Sequence, residues 1–143
     1  MINDFSGSAR IHPQGAGRNL PAMIRIVIVD DHAGFRAQAR MLLEASGFDV
    51  VGEAEDAANA VALVHELHPD VVLLDVQLPD NDGFWVVDQL SEENNGNGPH
   101  IIMISSRQAR DYGSRLTSVP GLGFIHKPEL SRSRFEEVLA DVS

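Results

Sequence analysis

Val71-Val72-Leu73-Leu74-Asp75 is the stretch that decides the fold, because it sets apolar residues in succession and ends in a carboxylate. A strand with water on one face alternates apolar and polar residues, whereas a strand covered on both faces is apolar throughout. The run therefore predicts a central strand of a parallel sheet with helices packed on both sides. Its last residue, Asp75, would lie at the carboxyl edge of that sheet, where ligands bind in open α/β folds.

Three further apolar runs end in a polar residue in the same way. Because the carboxyl ends of parallel strands meet at one edge of a sheet, we expect these polar residues to form one site with Asp75. Lys127 is the single lysine of the chain, which indicates that its position matters. The runs are Ile26–Val29 before Asp30 and Asp31, Ile101–Ile104 before Ser105, and Gly123–His126 before Lys127.

Between these runs the apolar residues recur at helical spacing, so strands and helices alternate along the chain. Five alternations predict a doubly wound α/β fold with five helices and right-handed crossovers. For the five-stranded parallel sheet we expect the flavodoxin-like order 2-1-3-4-5, which places the first and third strands side by side. The predicted strands are Ile24–Val29, Asp49–Ala54, Val71–Leu74, Ile101–Ile104 and Phe124–His126. The predicted helices cover 35–43, 57–67, 84–90, 109–117 and 135–142, with a polar loop at 91–99.

Composition indicates one compact domain. The chain has 143 residues and is 43% apolar, and domains commonly have ~100–150 residues. Residues 1–22 combine Gly and Pro with no apolar periodicity and are predicted to be a disordered N-terminal extension of a domain at 23–143. A formal charge of −10 argues against binding of nucleic acid or of an anionic membrane by this chain. The absence of cysteine and of any apolar run of membrane length favours a cytoplasmic protein.

The carboxylates of Asp30, Asp31 and Asp75 would repel one another at a shared edge. At ~4 Å and an effective dielectric constant of ~20, each like-charged pair costs about 4 kcal/mol. Lys127 supplies one positive charge, so we expect a divalent cation as well, and oxygen ligands favour Mg²⁺. Asp75 is the candidate nucleophile, because a carboxylate can accept a phosphoryl group as an acyl phosphate. Lys127 would neutralise the phosphoryl oxygens, and the Ser105 hydroxyl would donate a hydrogen bond to them.

These residues resemble the receiver domain family of response regulators in bacterial two-component signalling. The resemblance covers residues 24–142. Because the sequence gives no residues after Ser143 that could form an effector domain, we expect a receiver that stands alone. It is carried by the acidic pair Asp30-Asp31, the phosphoacceptor Asp75 in the segment 75–83, the hydroxyl residue Ser105, Lys127 with Pro128, and the aromatic switch residue Phe124.

The resemblance implies a phosphorelay switch. A sensor histidine kinase or a phosphotransfer protein would donate a phosphoryl group to Asp75, and the protein would catalyse only its own phosphorylation and dephosphorylation. Ser105 would then move toward the phosphoryl group and Phe124 would turn inward. The face formed by the fourth helix, fifth strand and fifth helix would change for an output partner that the sequence does not name, or for a second copy in a homodimer. The implied ligands of Mg²⁺ are Asp30, Asp31, Asp75 and the backbone carbonyl of Gln77.

Two alternatives keep this fold and change the role. The segments 105–107 and 123–127 resemble receivers that are fused to helix-turn-helix domains, which indicates the receiver half of a DNA-binding transcription factor. The second alternative is a pseudo-receiver that binds partners without phosphorylation. The intact set of site residues argues against it: Asp30, Asp31, Asp75, Ser105 and Lys127. A hydrolase of the haloacid dehalogenase kind would need an acid where Gln77 stands. A P-loop enzyme is excluded by the missing G-x-x-x-x-G-K-[ST] pattern.

Overall fold

The computed structural model describes residue 20 and the ranges 22–94 and 98–143. Residues 1–19 and 21 make up nearly all of the predicted N-terminal extension at 1–22 and lie outside the described residues. The disorder of that extension therefore stays a prediction. Among the helices of the described ranges, none combines the length and the apolar content that crossing a bilayer requires.

A five-stranded parallel sheet forms the centre of the fold, in the order β2-β1-β3-β4-β5. This confirms the predicted doubly wound arrangement and its strand order. Every residue of the central strand β3 is buried, as its consecutive apolar residues predicted. The strands are β1 Arg25–Val29, β2 Asp49–Ala54, β3 Val71–Asp75, β4 His100–Ser105 and β5 Gly123–His126.

Helices cover both faces of the sheet and divide the apolar interior into two clusters. Successive residues of a strand point to opposite faces. Ile26 and Ile28 therefore pack with the first and fifth helices, while Val27 and Val29 pack with the second and third. The helices are α1 Ala33–Ala45, α2 Ala57–Leu67, α3 Gly83–Asn94, α4 Ser114–Thr117 and α5 Arg132–Val142.

Helix α3 is longer than its sequence pattern indicated. The prediction of a polar loop at 91–99 is wrong for Ser91–Asn94, which continue the helix. Glutamate is a good helix former, and no glycine or proline interrupts the chain between Phe84 and Asn95. Of the rest of the predicted loop, residues 95–97 lie outside the described part of the chain, and residues 98–99 are irregular and lead into β4.

The predicted continuous fourth helix at 109–117 is also wrong. The structure has a 3-10 turn at Ala109–Asp111 and then the four-residue helix α4, with Gly113 between them at a φ of 56°. No residue of either piece is fully buried. A helix this short depends on tertiary packing, because helix nucleation costs more than one turn returns. Ala109, Tyr112 and Leu116 form the thin apolar stripe of the predicted helix, and this stripe gives two loosely packed pieces.

Candidate functional site

The carboxyl edge of the sheet brings together Asp30, Asp31, Asp75 and Lys127. Asp30 and Asp31 follow β1 directly, Asp75 ends β3, and Lys127 follows β5. Asp30 and Asp75 are buried, whereas Asp31 is exposed. Carboxylate oxygens of the three aspartates lie within 4.8 Å of one another and of a ring nitrogen of His32. Residues from three separated parts of the chain thus form one cluster with an excess of negative charge.

Lys127 is the cation of this cluster. Its Nζ atom lies 2.6 Å from Asp30 Oδ2 and 3.4 Å from Asp75 Oδ2. The same ammonium group lies 4.6 Å from the centre of the Phe35 ring, on the first turn of α1. A cation over an aromatic face is attracted by the ring quadrupole, which helps to hold the lysine in place. Sequence reasoning assigned Phe35 to the apolar stripe of α1 and missed this contact.

Burial shapes the acid–base behaviour of the site. Burial and the neighbouring Asp30 charge raise the pKa of Asp75 to about 6, against the opposing effects of Lys127 and of the Gln77 N–H. Burial alone would lower the pKa of Lys127, but its contacts with Asp30 and Asp75 outweigh burial and raise it. Lys127 is therefore charged at neutral pH, and Asp75 is mostly ionised but close to its titration range.

The donor set fits a hard divalent cation. Asp30 Oδ2 is fully buried, and the approach of Lys127 Nζ lies outside hydrogen-bond geometry, so this oxygen has no hydrogen bond within the described residues. Three carboxylates face one ammonium group, which leaves an excess of negative charge. Carboxylate oxygens are the ligands that Mg²⁺ prefers.

His32 joins the cluster, and sequence reasoning missed it. Its Nδ1 atom lies 3.2 Å from Asp30 Oδ1 and 3.1 Å from Asp31 Oδ1. Its backbone N–H also donates to Asp30 Oδ1, at 2.8 Å. The position of His32 directly after the acidic pair was the one sign in the sequence that it could join the cluster. The sequence does not show whether its imidazole points toward the pair or away from it.

The loop after Asp75 packs closely against that residue. The Gln77 N–H donates to Asp75 Oδ1 at 3.2 Å, and the Gln77 side chain is exposed. The Gly83 N–H donates to the Val76 carbonyl at 2.7 Å. A Cβ atom on Gly83 would lie 2.7 Å from the Asp75 carbonyl oxygen, so this position requires glycine. The loop therefore fixes the backbone of Asp75 and of the residues that follow it.

The two remaining acids of that loop cap helices and stay out of the cluster. The Asp80 carboxylate accepts from the backbone N–H groups of Ala57 and Ala58, at the start of α2. The Asp82 carboxylate accepts from the Trp85 N–H, at the start of α3. The range 75–82 contains four aspartate or asparagine residues, and the sequence does not separate their roles because each could cap a helix.

Ser105 and Phe124 lie beside the cluster and are linked by Tyr112. Ser105 is buried; its Oγ atom accepts from the Arg107 N–H at 3.0 Å and lies 2.6 Å from the Tyr112 hydroxyl. Phe124 is half-buried, and its ring centre lies 6.1 Å from that of Tyr112. Sequence reasoning placed Tyr112 on a helical stripe and missed this link.

A cleft of about 270 Å³ opens over Asp75. Its walls come from the residues after β1, β3, β4 and β5, among them Asp31, Gln77, Ser106 and Lys127. Asp75 is thus a buried carboxylate that borders a cleft in contact with solvent. The cleft gives a ligand access to it.

Comparisons with known proteins agree with this arrangement. The family model of the response regulator receiver domain matches residues 26–140. The transcriptional regulatory protein BtsR of Escherichia coli K12 is 32% identical over 119 residues, covering 82% of this chain and 47% of BtsR. PdtaR, a transcriptional regulatory protein of Mycobacterium tuberculosis H37Rv, is 33% identical over 127 residues, covering 81% of this chain and 60% of PdtaR. The chain thus spans about half the length of these relatives.

Two solved structures have the same fold. The signal receiver domain of a response regulator named NarL from Mycobacterium tuberculosis superposes with a TM-score of 0.72 at 30% identity, covering 85% of this chain and 96% of that one. A chain of the CheX-CheY-BeF3-Mg²⁺ complex from Borrelia burgdorferi gives a TM-score of 0.71 at 27% identity, covering 86% of this chain and 90% of that one.

Proposed function

Because the chain belongs to the response regulator receiver domain family, a family of signalling switches, we propose that Asp75 accepts a phosphoryl group. The donor is a sensor histidine kinase or a phosphotransfer protein. The observation that carries the proposal is the position of Asp75, a buried carboxylate that borders the cleft with Lys127 at 3.4 Å. An acyl phosphate needs a carboxylate that is ionised and can be reached, and Asp75 meets both conditions at neutral pH.

The transfer uses an ionised oxygen of Asp75 as the nucleophile. The new O–P bond forms as the P–N bond to the donor's imidazole breaks, and the imidazole nitrogen takes up a proton. Lys127 neutralises charge on the phosphoryl oxygens, and Ser105 donates a hydrogen bond to them once it leaves its resting position. Bound Mg²⁺ would supply further charge neutralisation, as its presence in the related Borrelia burgdorferi complex supports. Its proposed ligands are Asp30, Asp31, Asp75 and the backbone carbonyl of Gln77.

Phosphorylation changes the face formed by α4, β5 and α5. Ser105 moves toward the phosphoryl group, and Phe124 turns inward behind it. The half-buried Phe124 ring and the mostly exposed residues 109–117 support this proposal, because both pack only at the margin of the apolar core. The changed face binds an output protein or a second copy of this chain, in the cytoplasm. The protein catalyses no reaction beyond gaining and losing this phosphoryl group.

A small phosphodonor tests the proposed acceptor. Wild type, Asp75→Ala and the control Asp88→Asn are incubated with acetyl phosphate and Mg²⁺, and their intact masses are measured. Asp88 is an exposed acid on α3. Wild type and Asp88→Asn are expected to gain one phosphoryl group, and Asp75→Ala none. Equal labelling of wild type and Asp75→Ala would refute the assignment, and no labelling of wild type would favour a pseudo-receiver.

A second candidate function is the receiver half of a transcriptional regulator. It is favoured by the comparisons, because the chain covers 47% of BtsR and 60% of PdtaR, both named transcriptional regulatory proteins. The genomic reading frame on either side of the codons for this chain decides between the two candidates. A DNA-binding domain in that frame would support the second, and its absence would support the receiver that stands alone.

A further inference from the structure

Tyr112 connects the two residues that are proposed to move on phosphorylation. Its hydroxyl oxygen lies 2.6 Å from Ser105 Oγ. Its ring lies between those of Phe84 and Phe124, with ring centres 6.0 Å and 6.1 Å away. Tyr112 itself belongs to the loosely packed segment 109–117, directly before Gly113. One side chain therefore contacts the hydroxyl residue, the aromatic residue and the segment beside them.

The Ser105 hydroxyl has two hydrogen-bond partners in the unphosphorylated protein. A hydroxyl group has one proton to donate and two positions to accept. The Arg107 N–H fills one acceptor position, and Tyr112 takes a second bond. The described hydrogen bonds of Asp75 are to the Gln77 N–H and to Lys127, and none is to Ser105. In the arrangement in which Ser105 donates to Tyr112, its one proton is engaged there, and Ser105 must leave Tyr112 before it can donate to a phosphoryl group.

Leu116 and Arg115 also attach the segment 109–117 to the domain. Leu116 is half-buried and packs against one of the two apolar clusters. Arg115 pairs with Asp82 at 2.8 Å and lies 4.2 Å from the centre of the Phe84 ring. Both charged side chains of that pair are about half exposed, and ion pairs in water contribute little. Tyr112 and Leu116 therefore supply apolar contacts of the segment with the domain, and Tyr112 is the one of these two that also contacts Ser105.

We propose that Tyr112 is a positioning residue, whose hydroxyl holds Ser105 in the resting state and whose release on phosphorylation frees residues 109–117. The inference rests on the proposed phosphorylation of Asp75. Movement of Ser105 breaks one contact of Tyr112, and rotation of Phe124 weakens a second. The two movements therefore act together on one side chain, which passes the change at Asp75 to the α4 side of the output face.

Amide hydrogen exchange tests the resting contact without any phosphorylation. Tyr112→Phe removes only the hydroxyl group, and Ser118→Ala removes a hydroxyl group from the same surface without touching Ser105. We expect Tyr112→Phe to speed exchange of residues 106–117 about two- to tenfold, the effect of one net hydrogen bond. Ser118→Ala should exchange like wild type at residues 106–112. Unchanged exchange in Tyr112→Phe would overturn the proposal.

The rate of labelling shows whether Tyr112 restrains Ser105 in the resting state or assists the phosphoryl transfer. If Tyr112 holds Ser105 back, Tyr112→Phe should take up phosphoryl groups from acetyl phosphate about two- to tenfold faster than wild type. A purely structural defect would not increase this rate. Slower labelling of Tyr112→Phe would show that the hydroxyl assists the transfer, and this result would contradict the proposal.

Tyr112 is the single tyrosine of the chain, so a ¹³Cζ-tyrosine label gives one NMR resonance. We expect that resonance to move when beryllofluoride and Mg²⁺ are added to the wild type. In Ser105→Ala it should be displaced beforehand and respond little. A wild-type resonance that stays in place, while ¹⁹F NMR shows beryllofluoride bound, would overturn the inference. No bound ¹⁹F signal would contradict the proposed function instead, and the exchange measurement would then decide the Tyr112 contact alone.

Discussion

Lys127 Nζ and Asp30 Oδ2 lie 2.6 Å apart, at the carboxyl ends of β5 and β1. The same ammonium group is 3.4 Å from Asp75, so in the unphosphorylated protein it lies nearer to Asp30 than to the proposed phosphoacceptor. One cation therefore serves two buried carboxylates. Burial and then the Asp30 charge raise the pKa of Asp75, and the shared Lys127 offsets only part of that rise. The following predictions depend on that balance.

Replacement of the lysine should make stability depend on Mg²⁺. Lys127→Met keeps an apolar stem over Phe35 and leaves Asp30 and Asp75 without a cation. Removing one partner of a buried ion pair costs about 3–5 kcal/mol. We expect the free energy of unfolding, measured with urea, to fall by about that amount in EDTA. Saturating Mg²⁺ should restore much of this loss. Arg134→Met, at an exposed pair on α5, is the control; an equal loss with and without Mg²⁺ would contradict the prediction.

Removal of the Asp75 charge should stabilise the metal-free protein. The pKa of Asp75 is raised from 3.8 to about 6, so its ionisation opposes folding, and stability is lost as pH rises from about 4 through about 6. At pH 7 in EDTA, Asp75→Asn should be more stable than wild type by about 1–3 kcal/mol, since one pKa unit is about 1.4 kcal/mol. Near pH 4 the difference should vanish. Urea unfolding at several pH values measures it, and an Asn variant less stable at pH 7 would count against the raised pKa.

Asp31 should matter for Mg²⁺ and little for stability. Its side chain is 38% exposed, and its neighbour His32 is exposed as well, so removal of the Asp31 carboxylate leaves no buried charge without a partner. Asp31→Ala should weaken Mg²⁺ binding about tenfold or more, a loss in the range seen even for residues that only support metal ligands. Calorimetric titration measures the affinity. Asp49→Asn, which removes the same charge at the opposite end of the sheet, is the control, and equal affinities in both variants would remove Asp31 from the ligand set.

Gly83 should tolerate no side chain. Gly83→Ala would bring a Cβ atom to 2.7 Å from the Asp75 carbonyl oxygen and 3.0 Å from Met103 Cε. Overpacking of this kind costs about 1–3 kcal/mol. Labelling by acetyl phosphate should also slow, because the backbone of Asp75 must shift. Gly34→Ala, on α1 with nothing within 4 Å of its Cβ, should leave stability equal or higher. If both variants unfold at the same urea concentration, the close approach has no energetic effect.

The fold followed from the sequence because periodicity is a local signal. The apolar runs specified parallel strands, and the short list of doubly wound topologies supplied the strand order. The meeting of Asp30, Asp31, Asp75 and Lys127 then followed from one rule about strand ends. The roles of these residues in phosphorylation stay predictions, since geometry shows where they are and not what reacts with them.

The sequence by itself determined which residues reach the carboxyl edge of the sheet, because a strand's end lies next to the run of residues that forms the strand. Only the tertiary structure decided how the side chains at that edge pair. The engagement of Ser105 by Tyr112, the entry of His32 into the acidic cluster and the division of 109–117 into two pieces depend on packing between segments. Contacts between distant segments leave no periodic pattern along the chain, because they depend on which side chains meet in space and not on their spacing in the sequence.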